Sequence, residues 1–302
     1  MFGLGYSSNQ IFARDQAILK RYGAHGYKLV LMRTCRLPGF EARGPLRGKR
    51  NSAGHAQKLN ASISRSRSKV FELALCNPWQ YFVTITFDGG RVDRYDLPQL
   101  KRAFAKWINN LNSRSGDATK IKYLLIPERH ADGAWHMHGL FMGIPAHRLR
   151  AFSLEEHLPH AIRAKLQKGT TVYNWPAYAK KFGYVTVEPI RDLERCAKYI
   201  TKYITKELDE SMIALNEKLY LCSHGLSRAA VVRRGPLACS FVPDYCNEYV
   251  ALKSFPPSAL EEALGLFDGR PISDLLHIGF LDLVSPYLRG DFAWNNCPSI
   301  PL

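Results

Sequence analysis

Two apolar, β-favouring runs around a short turn constrain the fold of this chain most: residues 121–126 (IKYLLI) and Trp135–Met142 (WHMHGLFM), with Ala131-Asp132-Gly133 between them. Branched and aromatic residues flanking an Asp-Gly turn specify a β-hairpin. Side chains alternate along a strand, so His136 and His138 share one face, while Trp135 faces the other and packs. Glu128 ends the first strand, where its carboxylate can reach across to both imidazoles. Two ring nitrogens and one oxygen suit Mn²⁺ or Mg²⁺ working on a phosphate, and the same ligands accept Zn²⁺ or Co²⁺, so the expected site is metal-permissive. A lone histidine is more often a surface or satisfied core residue than a ligand. The pair gains weight from a second motif downstream.

Residues 182–190 (FGYVTVEPI) alternate as a strand closed at Pro189. Asp192 then caps a helix running through Leu208, with Leu193, Cys196, Ala197, Ile200 and Ile204 as its apolar stripe. Tyr199 and Tyr203 lie beside that stripe, one turn apart. Packing is the usual role of such tyrosines, but Lys198, Lys202 and Lys206 recur every fourth residue among them. A free phenol titrates near about 10, so a phenolate nucleophile needs the help that nearby positive charge gives. The lysines would equally hold phosphate oxygens or line a wet face.

Taken in order, Tyr81 to Phe87 (YFVTITF), His136-Met137-His138 and Tyr199-Ile200-Thr201-Lys202-Tyr203 resemble the motifs of the HUH endonucleases that initiate rolling-circle replication, of the two-tyrosine bacteriophage gene A type. Relaxases place their tyrosine near the N-terminus instead. The resemblance covers residues 71–210. It implies an α+β fold around a central, mainly antiparallel ferredoxin/RRM-like sheet flanked by helices, with the histidines on a central strand and the tyrosine helix crossing over them. It also implies a metal-dependent, site-specific DNA nickase and strand transferase. In that activity Mg²⁺ or Mn²⁺ on His136, His138 and Glu128 holds the scissile phosphate of single-stranded or hairpin origin DNA. Tyr199 and Tyr203 alternate as nucleophiles, aided by Lys202 and Lys206, leaving a 5′-phosphotyrosine and a free 3′-hydroxyl primer; Tyr199 is expected to cut first. Two rivals stand beside this reading. A two-tyrosine transposase of the same chemistry usually resembles zinc-binding proteins at one end, an element missing here, and a non-catalytic nucleic-acid-binding protein could keep the same fold.

Charge agrees with a DNA-handling role. The chain carries a formal +16 and a pI near 9.6. Residues 1–70 hold 14 Lys and Arg against 2 Asp and Glu, a net +12, whereas residues 255–302 hold 2 against 6, a net −4. A basic region of this kind binds phosphate by releasing counterions. The organisation expected is a basic N-terminal region (1–70) that contacts DNA, an endonuclease domain (71–210) and a C-terminal accessory region (211–302). A basic helix over residues 55–75 leads into the nuclease, and its Arg65, Arg67 and Lys69, with Lys198, are the candidate DNA contacts. That helix either clamps duplex or hairpin DNA or packs on the sheet edge.

The remaining patterns set limits. Leu100, Phe104, Trp107, Ile108 and Leu111 fall on one helical face, which makes Trp107 a core residue rather than a base platform. Residues 148–168 form a basic, amphipathic insertion, 218–232 offer a further strand, and His224 beside Gly225 is a loop residue. Residues 44–50 (GPLRGKR) lack the spacing and hydroxyl of a phosphate loop, so strand separation falls to a host helicase and replication machinery. Seven cysteines without a C-x-x-C pair argue against a disulfide framework or zinc ribbon. The apolar stretch 275–288 is too short and broken to cross a bilayer and reads as a packing or protein-contact segment. With no signal peptide evident, the expected location is the cytoplasm of a bacterial host.

Overall fold

The computed structural model describes residues 5–7, 10–36, 53–114, 116, 119–206, 219–246 and 250–268. They form an α+β protein with two antiparallel sheets and six α-helices among the described residues. In chain order these are β1 (Gly5–Ser7), β2 (Gln10–Arg21), β3 (Tyr27–Arg36), α1 (Ala53–Leu75), β4 (Tyr81–Thr86), α2 (Leu97–Arg114), β5 (Lys122–Arg129) and β6 (Trp135–Met142). There follow β7 (Arg150–Ala151), α3 (His160–Gln167), β8 (Tyr173–Asn174), α4 (Pro176–Lys181), β9 (Val185–Pro189), α5 (Leu193–Lys206), β10 (Leu221–Cys222), β11 (Ala230–Pro236), β12 (Tyr245–Cys246), β13 (Val250–Phe255) and α6 (Leu260–Asp268). Two compact units result: Arg50–Ser227, and Met1–Lys49 together with Arg228–Leu302.

The Arg50–Ser227 unit is built on a seven-stranded sheet ordered β10-β5-β6-β4-β9-β8-β7. Alternation along β4 sends Val83 and Ile85 to one face and Phe82, Thr84 and Thr86 to the other. On the first face α2 lays down Leu100, Phe104, Trp107 and Ile108, all buried, against Tyr178 and Phe182. Phe104 is the hub: its ring meets Tyr123 edge-on at 5.2 Å and Phe141 at 6.3 Å. Trp107 packs on Trp175 at 4.9 Å, a core residue as its helical spacing requires. Trp135 packs against the same cluster, opposite its neighbouring histidines.

The second face carries α1 and α5, which pack on each other and on β5. Val70, Leu73 and Ala74 of α1 and Ala197, Ile200 and Ile204 of α5 are buried there. The end of α1 is fixed by its own sequence. Asn77 donates to the Leu73 carbonyl at 2.8 Å and Trp79 Nε1 to the same oxygen at 3.2 Å, while Pro78 bars another turn. At the start of α5, Asp192 Oδ1 accepts the Arg195 N–H at 2.9 Å, the expected cap. The insertion after β6 has a small core of its own, Phe152, Leu158, Ile162 and Val172, and β10 pairs with β5 as the further strand.

Residues 10–36, read from sequence only for their charge, form a β-hairpin. It anchors the second sheet, in which β13 and β12 extend β3, and β1 and β11 pair with β2. Ala17, Leu19, Leu29, Phe255 and Phe267 make this unit's core. Cys76, Cys196, Cys222 and Cys239 are free, whereas Cys246 is disulfide-bonded, a bond that the cysteine spacing did not lead one to expect. Residues 44–50 and 275–288 lie outside the described residues. No described helix is long and apolar enough to cross a membrane.

Candidate metal and tyrosine site

Register builds this site. β5 and β6 pair so that Glu128 stands opposite His136 and Ile126 opposite His138, and β4 sets Thr84 opposite His138. Paired residues project to the same face, so Glu128, His136, His138 and Thr84 converge on the α1–α5 side of the sheet. Glu128 Oε2 lies 2.8 Å from His136 Nε2 and 2.7 Å from His138 Nε2. The three side chains are only 10–12% exposed. Neighbouring ligand atoms around a six-coordinate ion at 2.0–2.1 Å sit about 3 Å apart, so the three atoms already occupy adjacent corners of such a shell. The group Glu128, His136 and His138 thus fits a divalent cation by donor set and by spacing.

Protonation favours the same use. Burial, then the neighbouring His136, holds His138 down at about 4, so at neutral pH its ring is neutral, the form that binds a metal. Its contact with Glu128 is accordingly a hydrogen bond in which Nε2–H donates to the carboxylate. His138 Nδ1 then accepts from the Thr84 hydroxyl at 3.1 Å. A cation replacing the Nε2 proton would turn that second bond around, with Nδ1–H donating to Thr84, as outer partners of metal-bound histidines do.

Over this group hangs the tyrosine pair. The Tyr203 ring lies flat on His138, centroids 4.3 Å apart and planes 11° from parallel. Tyr199 meets Tyr203 edge-on at 5.2 Å and rests on Phe82 at 5.6 Å, and the two phenol hydroxyls hydrogen-bond to each other. Tyr199 is 47% exposed, open enough for a polymeric substrate to reach. The amphipathic period of α5 produces this: Ile200 and Ile204 bury against the sheet, and the flanking Tyr199 and Tyr203 are carried over the histidines.

Residues 80–208 match the family model of the replication-associated protein ORF2/gene II protein. That stretch runs from the residue before β4 to just beyond α5, so it contains both histidines, Glu128 and both tyrosines. The match supports a rolling-circle replication initiator family, a replication role and DNA binding. No curated protein and no solved structure matches the chain.

The basic candidates are spread over two helices. Lys198 and Lys202 are exposed on α5, Arg65 is exposed on α1, and Arg67 and Lys69 are half-buried there. The side chain of Lys206 lies outside the described residues. His224 is an exposed turn residue. Two residues of the site went unread in the sequence. Thr84 gave no local signal, because its role follows from which strand pairs with β6. His130 had one: it continues the alternation of Glu128 onto the same face, and its ring lies 3.7 Å from that of His136.

Proposed function

We propose that the chain initiates rolling-circle replication by nicking and rejoining single-stranded origin DNA through tyrosine transesterification. The observation that carries this reading is the stacking of Tyr203 on His138, which puts a pair of phenols directly over a group fit for a divalent cation. Mg²⁺ or Mn²⁺ held there by His136, His138 and Glu128 would polarise a phosphoryl oxygen and draw charge from the transition state. The phenol oxygen of Tyr199 or Tyr203 forms a bond to phosphorus while the bond from phosphorus to the upstream O3′ breaks. A 5′-phosphotyrosine and a 3′-hydroxyl result, the phenolic proton passing to the leaving oxygen by way of solvent. The hydrogen bond between the two hydroxyls suits an alternating pair, since one phenol can take up the proton or phosphate that the other gives. Lys198, Lys202 and Lys206, with Arg65, Arg67 and Lys69 of α1, supply the cationic surroundings for the strand.

The working division is a basic 1–70 region, a 71–210 endonuclease and a 211–302 accessory region. Strand separation is left to a host helicase. A labelled pool of single-stranded fragments from the replicon, incubated with Mn²⁺, tests the reading. Nicking is expected with the wild type and lost in His136→Ala and in Tyr199→Phe/Tyr203→Phe, with DNA binding retained in the latter. Binding without nicking in the wild type would instead support a non-catalytic DNA-binding protein of the same fold.

A further inference from the structure

Beside the candidate centre lies an open cleft of about 410 Å³, lined by Thr86, Asp88, Arg91, Asn174, Gly183 and Tyr184 among others. Its volume lies within the range of small-molecule sites. Thr86 pairs in register with His136, so this cleft begins one strand away from the histidines and on their face of the sheet.

The floor is bare backbone. Thr86 N–H donates to the Tyr184 carbonyl at 2.9 Å and Asp88 N–H to that of Phe182 at 2.8 Å, drawing residues 182–184 tightly onto the end of β4. Gly183 permits this, with φ at +131° and a Cβ position only 2.7 Å from Asp88 N and 2.9 Å from the Thr86 carbonyl. A side chain there would collide with backbone and also fill the cleft.

One wall is aromatic. Tyr184 is 39% exposed and backed by Phe152, whose ring is stacked 6.0 Å away at 27°. A propped, half-exposed ring offers its free side to another flat group. The other wall is polar and rigid. Arg91 Nε donates to Asp88 Oδ2 at 3.0 Å, and its Nη1 to the carbonyls of Ala179 and Lys180. Asp88 Oδ1 is further held by the Gly90 N–H at 3.0 Å. A fixed guanidinium, a fixed carboxylate and the Asn174 amide thus present donors and acceptors side by side, with exposed Lys180 and Lys181 nearby.

A flat group with a hydrogen-bonding edge and an anionic link is a nucleotide. We infer that this cleft receives one unpaired base of the single-stranded substrate, stacked on Tyr184 and read at its edge by Asp88, Arg91 and Asn174. The inference rests on single-stranded DNA being the substrate, as proposed above. It makes the cleft a place where the sequence next to the nick is recognised, because stacking alone tolerates any base whereas edge contacts distinguish them.

Fluorescence anisotropy with short labelled oligo(dT), oligo(dA) and oligo(dC) tests it, with unlabelled thymidine monophosphate as competitor. The wild type is expected to bind the three with different affinities and to ignore the mononucleotide. Tyr184→Ala should weaken binding between about 5-fold and 150-fold, the loss of one base–aromatic stack, while Tyr184→Phe restores it. Asn174→Ala should narrow the differences between the three homopolymers. Far-UV circular dichroism of Tyr184→Ala should match the wild type, as its ring lies on the surface. If the wild type binds the oligonucleotides and Tyr184→Ala binds them equally well, the cleft inference falls and the initiator reading stands. If the mononucleotide competes as well as an oligonucleotide, the occupant is a free nucleotide and the inference falls. If the wild type binds none of the three, the initiator reading falls with it.

Discussion

Gly139 follows directly on the second histidine, and replacing it by alanine tests how the site is built. In β6 it lies between Leu125 of β5 and Val83 of β4. A Cβ at this position would meet the Leu124 carbonyl oxygen at 2.0 Å and the Leu125 Cα at 2.9 Å. Ordinary contact begins at 3.4 Å, so the two strands must separate locally by about 1.4 Å. The obstacle is the backbone of a buried strand held by β6 on one side and β10 on the other, which no rotamer change can relieve. We expect a destabilisation of about 3 kcal/mol, the upper end of overpacking costs. The consequence for the site is sharper. The displaced strand carries Glu128 four residues on, and ligand distances tolerate only about 0.2 Å. A seventh of the local shift reaching Glu128 exceeds that. Urea unfolding should therefore show a lower midpoint at an unchanged slope, and calorimetric titration with Mn²⁺ should show affinity reduced at least tenfold. An alanine variant with the midpoint and Mn²⁺ affinity of the wild type would refute the idea that close approach of β5 and β6 assembles the group.

Thr84→Val keeps the volume but removes the hydroxyl on His138 Nδ1, and should lower Mn²⁺ affinity by about 10- to 100-fold with little change in fold; equal affinity would deny Thr84 its orienting role. Phe104→Ala empties the centre of the aromatic cluster and should cost about 3–5 kcal/mol in denaturant unfolding, whereas a loss under 1 kcal/mol would mean that α2 does not pack as described. In the metal-free protein His138 should stay neutral as pH falls past 6.5 and take up its proton only near 4. The unfolded chain binds that proton first, so folding loses stability as pH falls from about 6.5 toward 4. Imidazole chemical shifts followed by NMR check this, and a midpoint near 6.5 would contradict the burial.

The parts of the site that lie along one strand or one helix were legible in the sequence. Alternation put His136 and His138 on one face and Trp135 on the other, the Asp-Gly turn brought Glu128 back to them, and the helical period set Phe104 and Trp107 in the core. Asp192 marked the start of α5. What pairs at long range was not legible. Nothing local in Thr84 says that β4 will lie beside β6 and turn its hydroxyl to His138. Gly183 reads as a loop glycine until its carbonyl neighbours are seen to bond to β4. The hairpin of β2 and β3 was hidden by attention to charge: Ala17, Leu19 and Leu29 form a buried face, but the basic residues among them suggested only a DNA-contacting region. His130 was passed over because the strand was taken to end at Glu128.

The central claim is that the tyrosines over the histidine–glutamate group take the phosphate themselves. Denaturing electrophoresis and peptide mass spectrometry of the wild type after incubation with Mn²⁺ and single-stranded replicon DNA test it most directly. The account predicts a denaturant-resistant DNA adduct mapping to Tyr199 or Tyr203, dependent on metal and absent from Tyr199→Phe/Tyr203→Phe. Strand cleavage by the wild type with no such adduct, or an adduct of equal yield in the double variant, would contradict it.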